Sequence, residues 1–413
     1  MTATPAPVPA TDATALVLSG GGARAAYQVG VLRAIARLRR QSVPDSKASP
    51  FDILVGTSAG AINAAALASH ADDFDGVVAR LVQVWSHMQA HQIYLADALG
   101  VARTGARWLT LFTLGWALAR WRRARPRSLL DNAPLAELLG RLIPLERVPQ
   151  MLTQGHLRAL ALTASSYTRG DHVTFYCSAD DHAPWLRSQR QAIATAGFTL
   201  DHLLASAAIP FMFPARRIGD EWYGDGSMRQ SAPLSPAIHL GAQRLLIIGA
   251  GRMHEIVPPR AGTGEEYPTL AQIGGHAMSS IFLDALAVDI ERMERINRTL
   301  ALLPLAARAA AGLRPVQSLV IAPSARLDDI AARHLGSLPR PVRAMLRGVG
   351  VNAASGGGAA LASYLLFESP YTRELMALGE ADVRARRTEV RAFFGWPIRK
   401  PPPRQSAVPS SRN

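Results

Sequence analysis

The chain has 413 residues, of which 48% are hydrophobic, enough for a large buried core of one or more domains. Lys and Arg number 45 against 31 Asp and Glu, a net charge of +14, and only Lys47 and Lys400 are lysines. That balance points to an anionic partner, nucleic acid or an acidic membrane surface, unless it only reflects a genome that writes arginine for lysine. The single cysteine, Cys177, excludes internal disulfides and cysteine metal clusters and fits a reducing compartment.

Residues 1–11, rich in Pro, Ala and Thr, lack the basic and apolar regions of a signal peptide, and residues 1–13 are read as a flexible N-terminus. The run Thr14–Ser19 predicts a strand. Gly20-Gly21-Gly22-Ala23-Arg24 follows it, and then a helical pattern with Val29, Leu32, Ile35 and Leu38 on one face and arginines on the other. Gly20-x-Gly22-x-x-Ala25 partly matches a dinucleotide fingerprint. That fingerprint needs an acidic residue at the end of the second strand, whereas Asp52 stands at its beginning. The glycines read better as backbone N–H donors for an oxyanion, with Arg24 adding charge or fixing the loop.

The second strand, from Phe51, ends in Gly56-Thr57-Ser58-Ala59-Gly60 and turns directly into the helix formers Ala61–Ala68. Glycines two before and two after the serine allow a sharp strand-to-helix turn, and the start of the helix favours a developing negative charge. Ser58 is therefore the candidate nucleophile.

Residues 73–88 read as a helix. The apolar run 108–119, flanked by Arg103, Arg107, Arg120, Arg122, Arg123, Arg125 and Arg127, is too short to span a bilayer, which takes roughly 20 residues. It reads either as an interfacial segment on an anionic leaflet or as a buried helix with a basic flank. Leu135–Leu142 is a short helix. Leu157–Thr163 and His172–Cys177 pair as a hairpin through Thr168-Arg169-Gly170-Asp171, with Cys177 buried and inert. Leu200–Ala208 is helical, and Asp225-Gly226-Ser227 falls in an irregular loop. Arg244–Ile248 and Gln317–Ile321 are further strands. Residues 269–299 and 371–394 are long helices, with a largely helical Ala/Arg-rich segment between them. From residue 399 onward the chain reads as a flexible tail.

Taken together, the ordered motifs Gly20–Arg24, Gly56–Gly60, Ala205–Pro210 and Asp225-Gly226 resemble the patatin-like phospholipase family over roughly residues 14–240. The resemblance implies a three-layer α/β catalytic domain with a mostly parallel central sheet. It carries the insert at about 100–127, and residues 241–398 form strands and helices packed on it. It further implies a lipid acyl hydrolase working through a Ser–Asp dyad without histidine or cofactor. Ser58 is then the nucleophile in the elbow Gly56, Thr57, Ala59, Gly60. Asp225 is the base in the loop with Gly226 and Ser227, and Gly20, Gly21, Gly22, Ala23 and Arg24 form the oxyanion hole. Ala25 stands where the family commonly has glycine, and Ser227 where it has glycine or alanine. The expected substrate is a phospholipid or other lipid ester. The expected partner is an anionic membrane surface rather than nucleic acid, met by a cytoplasmic protein peripheral at the inner membrane face. Three readings compete: a transacylase using the same site, a Ser-His-Asp triad using His254 or His239, and a non-catalytic basic membrane-binding protein. No metal site is expected.

Overall fold

Alternation along the strands sorts the chain into layers. In β1 (Thr14–Leu18), Ala15 and Val17 pack into one core while Leu16 and Leu18 pack into another. A strand buried on both sides in this way must lie in the middle of a sheet covered by helices on each face. The structure, a computed structural model, describes residues 12–95, 128–180, 185–187, 190–251, 267–310, 313–351 and 358–397. The segment 108–127, its flanking arginines, His254 and the tail from 399 lie outside the described residues.

In chain order, β1 leads through a 3-10 turn (Gly22–Ala25) into helix α1 (Ala26–Ser42). Strand β2 (Ile53–Thr57) leads into α2 (Ala59–Ala68), and α3 (Phe74–Ser86) and α4 (Ala133–Leu142) follow. Then come β3 (Ala159–Ser166), β4 (His172–Ser178), β5 (Leu186–Arg187), β6 (Arg190–Ala194), β7 (Arg216–Ile218) and β8 (Glu221–Asp225). Strands β9 (Arg244–Ile248) and β10 (Gln317–Ile321) complete the set. The sheet order is β10-β9-β1-β2-β3-β4-β6-β5, with β8 laid on the far end of β3 and β7 beside it. The five strands from β10 to β3 are mutually parallel, and β4 turns back on β3. Leu18 stands level with both Gly56 and Ile248, so the loops after β1 and β2 emerge together at the carboxyl ends of the strands. Sites in such folds gather at that edge.

One face of the sheet is covered by α1, α2 and α3 together with helix Ser369–Ala385. The other is covered by helices Ser235–His239 and Ala285–Leu302. The expected long helix 269–299 is a continuous helical run, Leu270–Leu302, interrupted by a π-helical turn at Ser280–Asp284. By length and composition this run could cross a membrane; it lies against the sheet with Phe282, Leu286, Ile290 and Met293 buried. The expected helix 371–394 divides at Arg386 into Ser369–Ala385 and Arg387–Phe394.

Candidate active site

Two glycines make the turn at Ser58 possible. A Cβ on Gly56 would sit 2.5 Å from the Ala61 Cα, and one on Gly60 would collide with the Leu18 carbonyl oxygen. Without them, α2 could not pack so closely on β1 and β2. Ser58 itself takes φ 55° and ψ −128°, a left-handed conformation that costs a non-glycine residue about 1–3 kcal/mol and persists only where its surroundings enforce it. The enforcing contacts are visible. The Ser58 N–H donates to Ser206 Oγ at 2.9 Å, and the Thr57 hydroxyl meets Thr163 Oγ1 at 2.8 Å and accepts from Gln230 Nε2 at 2.9 Å.

The buried Ser58 hydroxyl donates to Asp225 Oδ2 at 2.6 Å. These residues are 167 positions apart in sequence. Asp225 does not lie in an irregular loop, as its flanking glycines suggest. It ends β8, where Gly224 and Asp225 pair with Ser165 and Ala164 of β3, and its N–H donates to the Ala208 carbonyl at 3.1 Å. Its other carboxylate oxygen accepts the Ser227 amide at 2.9 Å. Complete burial pushes the Asp225 carboxyl up to about 6, against the opposing pull of the Ser58 and Ser227 hydrogen bonds. The group is ionised at neutral pH and remains a better base than an aspartate in water.

The glycine loop lies beside the elbow, and its first three amides, those of Gly20, Gly21 and Gly22, donate to no other described group. The next two are engaged elsewhere. The Ala23 N–H is spent on the Tyr364 carbonyl at 3.1 Å and the Arg24 N–H on Gly21 O at 3.1 Å. Arg24 turns its side chain away into the protein. Its Nε donates to Ser363 Oγ at 2.7 Å, its Nη2 to Asp328 Oδ1 at 2.5 Å, and its guanidinium lies 4.0 Å from the Tyr364 ring centroid. Of the two roles open to it in the sequence, Arg24 has the anchoring one. The anchor is the C-terminal third, which motif reading leaves unconnected to the site. Phe282, in the π turn, stacks on Tyr364 at 5.0 Å and backs Gly20.

Ser58 opens into an apolar pocket of about 440 Å³ between α2, α3 and α4, walled by Ile62, Trp85, Leu139, Ile209 and Phe367. Arg80 and His87 stand at its exposed rim. The described partners of the Asp225 carboxylate are Ser58 and Ser227, and neither is a histidine. His239 stacks on Trp185 at 4.8 Å, and buried His172 is pushed down to about 4 by desolvation. Cys177 is buried, and desolvation pushes its thiol up to about 12, so it is not a thiolate nucleophile at neutral pH. Among the described residues no three His, Cys, Asp or Glu side chains form a metal-binding group.

The fold is an α/β sandwich with a serine elbow at the carboxyl edge of its parallel strands. The sequence profile of the patatin-like phospholipases matches residues 16–238, more than half the chain, and the protein belongs to that family. Two solved structures are similar at low identity. VipD from Legionella pneumophila is 12% identical with a TM-score of 0.32, the match covering 89% of this chain and 67% of VipD. Full-length ExoU of the Pseudomonas aeruginosa type III secretion system, solved with SpcU, is 16% identical with a TM-score of 0.24, covering 92% of this chain and 79% of ExoU. No curated protein sequence matches significantly.

Proposed function

We propose that the protein hydrolyses carboxylic esters of lipids through an acyl-serine intermediate, with Ser58 as nucleophile and Asp225 as general base. The observation that carries this is the 2.6 Å hydrogen bond from Ser58 to a buried carboxylate held near neutrality. In this reading the acyl chain enters the apolar pocket and the ester carbonyl rests over Ser58, its oxygen toward the Gly20–Gly22 amides. As Oγ attacks, Asp225 takes the hydroxyl proton, and the tetrahedral oxyanion is held by the loop amides, each worth roughly 3–4 kcal/mol. Collapse expels the alcohol, which receives the proton from Asp225. Water then attacks the acyl-serine, again deprotonated by Asp225, and the serine proton is restored as the fatty acid leaves.

The excess of arginine supports action at an anionic membrane surface on the cytoplasmic side. The test of the chemistry is labelling with a fluorophosphonate together with lipid hydrolysis. Ser58→Ala should abolish labelling and lower kcat/KM by about a thousandfold or more. Wild-type labelling or turnover in that variant would end the proposal.

A further inference from the structure

A second cavity of a different character, about 770 Å³ in volume, shares no lining residue with the apolar pocket. Ser227, whose amide holds the Asp225 carboxylate, forms part of its wall, so one residue links the cavity to the catalytic pair. Three guanidinium-bearing residues line it: Arg190 at the start of β6, Arg229 just after β8, and Arg292 on the helix that covers the sheet. Among the described residues none of the three is engaged in an ion pair, and no carboxylate lines the cavity. Asp289, outside the lining, feels both Arg190 and Arg292, and one of its oxygens is occupied by the Leu234 amide at 2.9 Å. Gln230 and Ser231 add neutral hydrogen-bonding groups to the wall.

We infer that this cavity seats the phosphate of the substrate headgroup, so that the ester lies over Ser58 with its acyl chain in the apolar pocket and its phosphate among Arg190, Arg229 and Arg292. This rests on the hydrolase reading above and narrows its substrates to glycerophospholipids and their lyso forms. The chemistry is specific. A guanidinium offers planar, paired N–H donors that match phosphate oxygens two at a time, and such charge-assisted bonds are about twice as strong as neutral ones. Three arginines in a lining without a carboxylate leave an excess of positive charge for one phosphate to neutralise. The substrate's own polarity, apolar at one end and anionic at the other, matches an apolar pocket that holds Ser58 and a basic cavity walled by Ser227, the residue bonded to Asp225.

The test uses soluble short-chain substrates, which remove any contribution from a charged vesicle surface. Dihexanoyl phosphatidylglycerol is compared with uncharged dihexanoylglycerol, and the readout is the ratio of their kcat/KM values. Arg190→Gln, Arg229→Gln and Arg292→Gln should each lower that ratio about tenfold, and the Arg190→Gln/Arg292→Gln pair about a hundredfold. Arg217→Gln, which removes an exposed arginine paired with Asp220, should leave the ratio unchanged. Retained fluorophosphonate labelling identifies the variants with an intact site. A ratio that moves no more than in Arg217→Gln would overturn the inference while leaving the hydrolase in place. Loss of all activity in wild type, or its persistence in Ser58→Ala, would instead sink the hydrolase reading. Inorganic phosphate, added alone at millimolar levels, should inhibit weakly. Strong inhibition by it with equal turnover of the two lipids would assign the cavity to a free anion and overturn the headgroup assignment.

Discussion

The substitution Asp225→Asn should kill the enzyme and stabilise the protein. The carboxyl is completely buried, and burial raises it from an ordinary value of 3.8 to about 6. Below 3.8 the group is protonated in both folded and unfolded chains and has no effect on their balance. Between 3.8 and about 6 the unfolded chain ionises while the native one does not, so wild-type stability falls as pH rises. Above about 6 both are ionised, and the folded state carries the full cost of the buried charge, ~3 kcal/mol from the displacement in pKa. An asparagine keeps the shape and can still accept from the Ser227 amide, but it has no charge to desolvate. The assay is urea unfolding of both proteins from about pH 3.5 to 8. The variant should be about 1–3 kcal/mol more stable than wild type at about pH 7.5, with the gap closing toward pH 4. A gap that is absent near neutrality, or that does not change with pH, would refute the argument that burial, and not a hydrogen-bond network, sets the base.

The same carboxyl controls rate: kcat/KM should be flat above about pH 6 and fall about tenfold per pH unit below it, since only the ionised Asp225 accepts the serine proton. A pH–rate profile in wild type measures this directly. Arg24→Gln should cost about 3 kcal/mol in unfolding free energy, because Asp328 and Ser363 lose their buried partner. It should also lower kcat more than it raises KM, as the glycine loop comes loose from the C-terminal helices. Gly379→Ala should destabilise the protein by about 2 kcal/mol by driving a methyl into the Tyr27 carbonyl where helix Ser369–Ala385 crosses α1; a thermal melt reads it. Leu139→Trp, projecting bulk into the apolar pocket, should move the acyl-length preference toward shorter chains, read by hydrolysis across a series of p-nitrophenyl esters.

Much of the core was legible because local patterns dominate there. The strands Thr14–Leu18, Arg244–Ile248 and Gln317–Ile321 are unbroken runs of β-forming residues bounded by turns, and they appear almost as expected. The elbow was legible for the same reason, since two glycines around a serine between strand and helix admit few backbones. The short strands β5, β6 and β7 were not legible. They are two to five residues long, and β6 and β7 are only partly buried, so no alternation marks them. The π turn at Ser280–Asp284 is invisible to a periodicity that counts apolar residues over many turns, although it sets Phe282 behind Gly20.

What the sequence alone determined is the chemistry on offer: a serine between glycines at a strand-to-helix turn, a glycine-rich loop before it and a downstream Asp-Gly, each written in a few adjacent residues. Only the tertiary structure decided their arrangement. The pairing of both β2 and β8 with β3 brings Asp225 to Ser58, 167 positions away, and the C-terminal helices, reaching back through Arg24, hold the glycine loop in place. Those contacts join segments far apart in the chain, and the packing that makes them leaves no local trace for the sequence to show.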